Sequence, residues 1–340
     1  MKANQYSIEN KDNKKRNRVV LAFSSNENGG LMLGISLYSA LVSKCTDTQY
    51  IIYILNSNIS DATCSKLKEM VEAYSCELHF LPVDHLLDEH LHKDYSVGLP
   101  RTTFARLFLP DLLPQENRVI YLDIDLLILK DLRDLFESPL DGALAGVVYQ
   151  QKDDFAVQQI KRLGMRPTSH YFNAGVMLMD LALMRQESIN NALITYLVNH
   201  ENDLSYLDQD VLNAVLEGRV RGLHPKWNWA PWPVLRPRKK AIWGELGKAK
   251  AIEAALEPAI LHFFGGNKTT RYNDNFYRNL YRQYWLNSPW RDVPMSGEKR
   301  WYYLAKCIEH IPKELFLRLQ MWWLRRKWRR SGYSDSFFAD

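Results

Sequence analysis

Apolar residues along this chain fall into two alternating patterns. Short runs at residues 19–23, 50–55, 77–81 and 119–122 read as strands. Between them apolar positions recur at helical spacing. Leu33, Leu37 and Leu41 follow a polar, glycine-bearing turn at residues 24–30, and Ser60 is placed to cap a helix over residues 61–74. The alternation continues with a helix over 102–109, a strand over 143–149, a helix over 154–163 and a strand over 171–180. Helices over 181–199 and 208–216 and a short strand over 259–263 complete it. Strands that alternate with helices build a mostly parallel sheet covered on both faces, so the expected fold class is α/β.

The run at 119–122 leads directly into Asp123-Ile124-Asp125. Alternate residues of an extended chain share a face, so both carboxylates can point the same way. Two hard oxygen ligands suit Mg2+ or Mn2+, and ligands of open α/β sheets collect beyond the carboxyl ends of strands. A polar strand end with a turn is the plainer alternative. The first strand–turn–helix unit suits a nucleotide, although it has neither a Walker loop nor a G-x-G-x-x-G fingerprint.

Other polar residues interrupt the apolar pattern. Arg106 would pair with a pyrophosphate or with Asp123, or sit solvated on its helix. Asn173-Ala174-Gly175 lies inside a strand pattern, where glycine marks either close backbone approach or a bulge. Asp208-Gln209-Asp210 opens a helix, where acidic residues favour the N-terminal end. His262 ends a strand ahead of Gly265, Gly266 and Lys268, a combination of imidazole, backbone turn and phosphate-binding lysine. A purely structural strand-end histidine is the alternative.

Composition adds compartment and surface. Hydrophobic residues make up 46% and aromatics 12% of 340 residues, enough for a sizeable core with aromatic surface to spare. Cys45, Cys64, Cys76 and Cys307 show no disulfide or C-x-x-C spacing, and the polar N-terminus lacks an apolar signal core, so a cytoplasmic location is expected. The net charge of +5 is unevenly distributed along the chain. Trp322, Trp323 and Trp328 interleave with Arg318, Arg325, Arg326, Lys327, Arg329 and Arg330, and no acidic residue lies between Arg318 and Arg330. With Leu315, Phe316 and Leu319 they outline a basic amphipathic helix over 315–330 suited to an anionic membrane surface. A helix packed on the main domain is the alternative. No RNA- or DNA-binding motif is present, so no nucleic-acid partner is expected. Trp227, Trp229, Trp232, Arg236, Arg238, Lys239 and Lys240 form a second basic aromatic cluster. It reads as a receptor for an acidic glycan or as a Pro-rich loop with buried tryptophans.

Five stretches, in this order and spacing, resemble the retaining glycosyltransferases of family 8, which have the GT-A fold. They are Phe104-Ala105-Arg106-Leu107, Tyr121-Leu122-Asp123-Ile124-Asp125, Tyr171-Phe172-Asn173-Ala174-Gly175-Val176, Leu207-Asp208-Gln209-Asp210, and Leu261-His262-Phe263-Phe264-Gly265-Gly266-Asn267-Lys268. The resemblance is to bacterial lipopolysaccharide and lipooligosaccharide glucosyl- and galactosyltransferases, and it covers about residues 18–286. It implies a Rossmann-like GT-A domain over 18–290, between a disordered basic tail at 1–17 and a basic aromatic extension at 291–340. It implies that Asp123, Asp125 and His262 bind Mn2+ or Mg2+ and that Gly265 and Lys268 contact the phosphates of a UDP-hexose. Arg106, Ile124, Asn173 and Ala174 would line the donor, with Ser24 and Asn26 toward the nucleoside. Asp208 would bind a sugar hydroxyl and Gln209 would sit near the anomeric carbon, the two forming the catalytic pair. A lipid-linked or lipopolysaccharide-type acceptor and a place on the cytoplasmic face of the inner membrane complete the expectation.

Two positions depart from the family pattern. Ser24-Ser25 stand where relatives often carry acidic residues, and Lys268-Thr269-Thr270 replaces Lys-Pro-Trp. A sugar nucleotidyltransferase would need a glycine-rich triphosphate loop, which residues 24–30 do not supply, and a non-catalytic glycan- or membrane-binding module would not need the full polar set.

Overall fold

The strand β1 (Arg18–Asn26) is buried along seven of its nine residues, and its side chains divide between two cores. Val19, Leu21 and Phe23 enter one core and Val20 and Ala22 the other, as the two-residue period of a strand requires. A computed structural model describes residues 17–93, 100–150, 153–230, 248–264 and 277–294, with 319, 321–323, 325 and 326.

Beside β1 lie β2 (Gln49–Ser57), β3 (Glu77–Pro82), β4 (Arg118–Leu122), β6 (Ala145–Tyr149), β7 (Phe172–Asp180) and β8 (Val220–Gly222). The seven strands are ordered β3-β2-β1-β4-β7-β6-β8. β7 runs antiparallel to β4 and β6, and every other pairing is parallel. The mostly parallel α/β sheet expected from the sequence is therefore present. One face is covered by the helices Gly30–Ser43 and Asp61–Glu72, with Leu33, Leu37, Leu67 and Met70 in the core. The other face receives Leu107, Leu181, Leu193, Leu197 and Leu212. Each such residue contributes about 1.5–3 kcal/mol by leaving water.

A second, two-stranded sheet positions the site. β5 (Leu126–Ile128) pairs antiparallel with β9 (Ile260–His262), and Leu126 stands opposite His262. On the same side of the molecule the helix Arg278–Asn287 and Trp290 pack back onto the first helix. Gly34 makes that contact possible, since a Cβ there would lie 2.5 Å from the Trp290 ring.

Three expectations change in detail. Residues 101–108 form a 3-10 helix (Arg101–Phe108), followed by a separate α-turn Leu109–Leu112. Pro110 explains the restart, because it has no N–H and is tolerated only in the first turn of an α-helix. The expected helix over 181–199 breaks into Leu181–Gln186 and Ile189–His200 at Ser188, whose φ of 53° is left-handed. Trp227 and Trp229 are buried core residues and present no platform. The rest of that cluster, from Trp232 to Lys240, lies outside the described residues. Cys45, Cys64 and Cys76 are free thiols.

Most of the basic extension also lies outside the described residues. Its described positions, 319, 321–323, 325 and 326, are helical, with Met321 buried and Leu319, Trp322 and Trp323 exposed. Among the described residues no helix is long and apolar enough to cross a membrane.

Candidate active site

Asp123 and Asp125 do not belong to the strand that precedes them. β4 stops at Leu122, and the aspartates follow in the turn to β5. Strand alternation therefore does not align them. Backbone bonds on either side do so instead: Asp123 N–H donates to Gly175 O at 2.8 Å, and Phe263 N–H donates to Asp125 O at 2.9 Å. The second bond belongs to the β5–β9 pairing, which delivers His262 from 137 residues away in sequence.

His262 Nε2 lies 3.1 Å from Asp125 Oδ1 and 3.7 Å from Asp123 Oδ2. One ligand atom from each residue falls within 4.8 Å of the others. Gly175 must be glycine for this geometry, since a Cβ would overlap His262 Cε1 and come within 2.7 Å of Asp123 Oδ2. Both readings left open at Gly175 are present: the close approach to His262 and Asp123, and a shift of the β6–β7 register between Val147 and Tyr149, opposite this stretch of β7. Two carboxylates and an imidazole fit a divalent cation and leave further positions for other oxygens.

Arg106 fixes one side of this triad. It projects from the 3-10 helix and is 3% exposed. Its Nη2 donates to Asp123 Oδ1 at 2.9 Å, and Nη1 donates to Ala174 O at 2.5 Å. Its Nε faces Asp208 Oδ2 at 2.7 Å, and the guanidinium stacks 4.2 Å above the Tyr121 ring. Tyr121 OH also donates to Asp123 Oδ1, at 3.2 Å. Asp123 thus commits Oδ1 to protein donors and turns Oδ2 toward His262. Burial opposes the Arg106 charge, but Asp123 and Asp208 together hold the guanidinium above its ordinary range. Burial pushes Asp208 up to about 6, against the pull of Arg106.

Asp208 and Gln209 open the helix Asp208–Val215. Leu207, just before it, has φ 50° and ψ −127°, a conformation that costs a non-glycine residue about 1–3 kcal/mol. Gln209 Oε1 accepts from Asn173 Nδ2 and from Ala174 N–H, both at 3.1 Å, and Gln209 Nε2 donates to Tyr171 OH at 2.7 Å. Asn213 anchors the same strand by accepting from Phe172 N–H and donating to Phe172 O. Asp210 is fully buried, pairs with Arg162 at 2.6 Å and accepts from Ser205 N–H and Tyr206 N–H. Its work is to hold the approach to the helix.

The remaining candidates are placed as follows. Ser24 is buried and donates to Thr102 O at 2.5 Å, tying the end of β1 to the 3-10 helix. Asn26 Oδ1 accepts from Gly29 N–H at 3.2 Å and caps the short turn Glu27–Gly29. Ile124 packs over that turn, where a Cβ on Gly29 would lie 2.6 Å from its Cδ1. Gly265 and Lys268 lie outside the described residues.

One polar residue at the site is unmarked by the sequence pattern. Asn228 is 8% exposed, and its Oδ1 lies 2.8 Å from His262 Nδ1. Its Nδ2 donates to Asn173 Oδ1 at 3.0 Å. The one signal in the sequence is an amide enclosed by two tryptophans that prove to be buried.

The model of the Glycosyl transferase family 8 matches residues 20–272, a span holding every site residue named above. General stress protein A of Bacillus subtilis (strain 168) is 28% identical over 274 residues, 79% of this chain and 93% of that relative. The lipopolysaccharide 1,2-glucosyltransferase of Escherichia coli (strain K12) is 29% identical over 216 residues, 62% of each chain. Among solved structures, galactosyltransferase LgtC in complex with donor and acceptor sugar analogs matches with a TM-score of 0.65 at 19% identity. That match covers 84% of this chain and 99% of LgtC, and it bears on the fold alone. With sheet, aspartate pair and β9 histidine inside one continuous match, the chain belongs to glycosyl transferase family 8 and has the α/β architecture of its GT-A neighbours.

Proposed function

We propose that this glycosyltransferase is metal-dependent and retaining, and that it moves a glucose or galactose from a UDP-sugar to a lipopolysaccharide- or lipooligosaccharide-type acceptor. The observation that carries the reading is the convergence of Asp123, Asp125 and His262 at the carboxyl end of β4, with Arg106 fixing Asp123 from behind. The similarity to the lipopolysaccharide 1,2-glucosyltransferase supports the acceptor class.

Asp123, Asp125 and His262 would hold Mn2+ or Mg2+. A divalent ion there supplies charge stabilisation to a departing nucleoside diphosphate without a proton transfer. Lys268 and Gly265 would contact the same phosphates. Asn173, Ala174 and Asp208 would border the hexose. Gln209 is a neutral amide held by two donors, so it offers an anomeric carbon a weak dipole and no carboxylate nucleophile. That chemistry favours front-face attack by the acceptor hydroxyl, with retention. The membrane-surface role of residues 315–330 and a cytoplasmic, inner-membrane-associated location belong to the same proposal. The exposed Leu319, Trp322 and Trp323 beside Arg325 and Arg326 support them.

A thermal-shift screen of nucleotide sugars with and without Mn2+ tests the donor half, because a ligand bound only by the folded state raises its melting temperature. A shift for UDP-hexoses that needs Mn2+ supports it. A shift for other nucleotide sugars alone, or none for any, removes it.

A further inference from the structure

We infer that Asn228 is a positioning residue that sets the tautomer of His262, so that the imidazole presents an unprotonated Nε2 to a divalent cation. The inference deepens the proposed metal-dependent reading and rests on it. Two backbone donors near the triad have identities fixed by covalent structure. Gly175 N–H donates to the Asn173 side chain at 3.0 Å, so the atom it meets is Oδ1. Ala174 N–H donates to the Gln209 side chain at 3.1 Å, so that atom is Oε1. Asn173 therefore turns its NH2 to Gln209, at 3.1 Å.

Asn228 is the next amide in the run. Its side chain meets Asn173 Oδ1 at 3.0 Å, and an acceptor there requires the NH2 group of Asn228. The oxygen of Asn228 is left facing His262 Nδ1 at 2.8 Å. Two acceptors at that distance would repel, so Nδ1 carries the ring proton. A neutral imidazole has one such proton, and Asp125 Oδ1, 3.1 Å from Nε2, competes for it. Turning the Asn228 amide over would set its oxygen against Asn173 Oδ1, whose orientation Gly175 N–H fixes, so the Asn228 oxygen stays on Nδ1. Metal-bound histidines generally depend on such a partner for orientation and tautomer. The chain of amides continues through Gln209 Nε2 to Tyr171 OH at 2.7 Å, so one directed run of donors joins the metal triad to the residue expected near the anomeric carbon.

Ring-nitrogen NMR of 15N-histidine-labelled, metal-free protein at mildly alkaline pH reads the tautomer directly. The expected His262 spectrum has the proton on Nδ1. A proton on Nε2 overturns the inference, and this arm needs no variant to fold. In parallel, Mn2+ affinity is measured by EPR for wild type, Asn228→Ala and Asn228→Asp. Loss of an outer-shell partner costs about 10–100-fold in metal affinity, and that loss is expected for Asn228→Ala. Asn228→Asp keeps an acceptor for Nδ1–H but sets its second oxygen against Asn173 Oδ1, and is expected to weaken binding less than Asn228→Ala. Equal weakening in both variants, or none in Asn228→Ala, overturns the inference. A wild type that binds no Mn2+ removes the metal-dependent reading, while the ring spectrum still decides the role of Asn228.

Discussion

Arg106 Nη2 donates to Asp123 Oδ1 at 2.9 Å while its Nε faces Asp208 Oδ2 at 2.7 Å. One buried cation thereby joins the turn that holds the aspartate pair to the helix that carries Gln209. Removing it leaves a buried Asp208 and a partly exposed Asp123 without their counter-charge. Arg106→Met is expected to lose about 3–5 kcal/mol of stability in urea unfolding. Arg106→Lys, which keeps the charge but not the fork, is expected to lose less. Equal stability of all three forms would contradict the linkage.

Asp208 gives the fold a specific pH dependence. Its folded-state pKa of about 6 lies above the ordinary 3.8, so the folded state binds this proton more tightly than the unfolded state. The resulting stabilisation is fully present below the unfolded value and is lost as pH rises through about 6. Asp208→Asn lacks the proton and with it this component. The wild-type minus Asp208→Asn difference, measured by urea unfolding in EDTA, is expected to fall by about 3 kcal/mol from about pH 3 to about pH 8. A difference flat across that range would show that Asp208 ionises as an ordinary carboxylate.

Two glycine substitutions separate scaffold from site. Gly175→Ala places a methyl against His262 and Asp123, and Gly34→Ala places one against Trp290. Each overpacks its contact, and each is expected to cost about 1–3 kcal/mol of stability. Only Gly175→Ala is expected to weaken Mn2+ binding. Weakening by Gly34→Ala would mean that the metal triad responds to packing on the far helix.

The membrane proposal has its own readout. Flotation with vesicles containing anionic lipid is expected to carry the wild type and to fail at high salt. Each Lys or Arg near the surface contributes about 1 kcal/mol, so Arg325→Glu with Arg326→Glu should release the protein by more than tenfold. Trp322→Ala with Trp323→Ala should release it from vesicles at any salt. Unchanged flotation of both pairs would place the membrane contact elsewhere or exclude it.

The sheet was legible because its strands are short apolar runs separated by helical periods, as at residues 19–23 and 50–55. The metal triad was named from the order of its motifs, yet its construction was not legible. No local pattern reports that β5 exists as a three-residue strand, or that it pairs with β9 so that Leu126 stands opposite His262. Arg106 was open between a paired and a solvated reading because burial, which decides against the solvated one, depends on tertiary packing. Pro110 was visible but its consequence, a restarted helix, was not. Asn228 went unmarked because its role depends on two backbone N–H groups in β7, which sequence cannot place beside it.

The most direct test of the account is UDP release from UDP-glucose and UDP-galactose, with a lipooligosaccharide acceptor, for wild type and Asp125→Ala with and without Mn2+. Expected is release by the wild type that requires Mn2+, and its loss by at least about a hundredfold in the folded variant, since Lewis-acid stabilisation of the leaving group is worth several kcal/mol. Release that persists in EDTA, or in Asp125→Ala, would contradict a metal-held diphosphate at Asp123, Asp125 and His262.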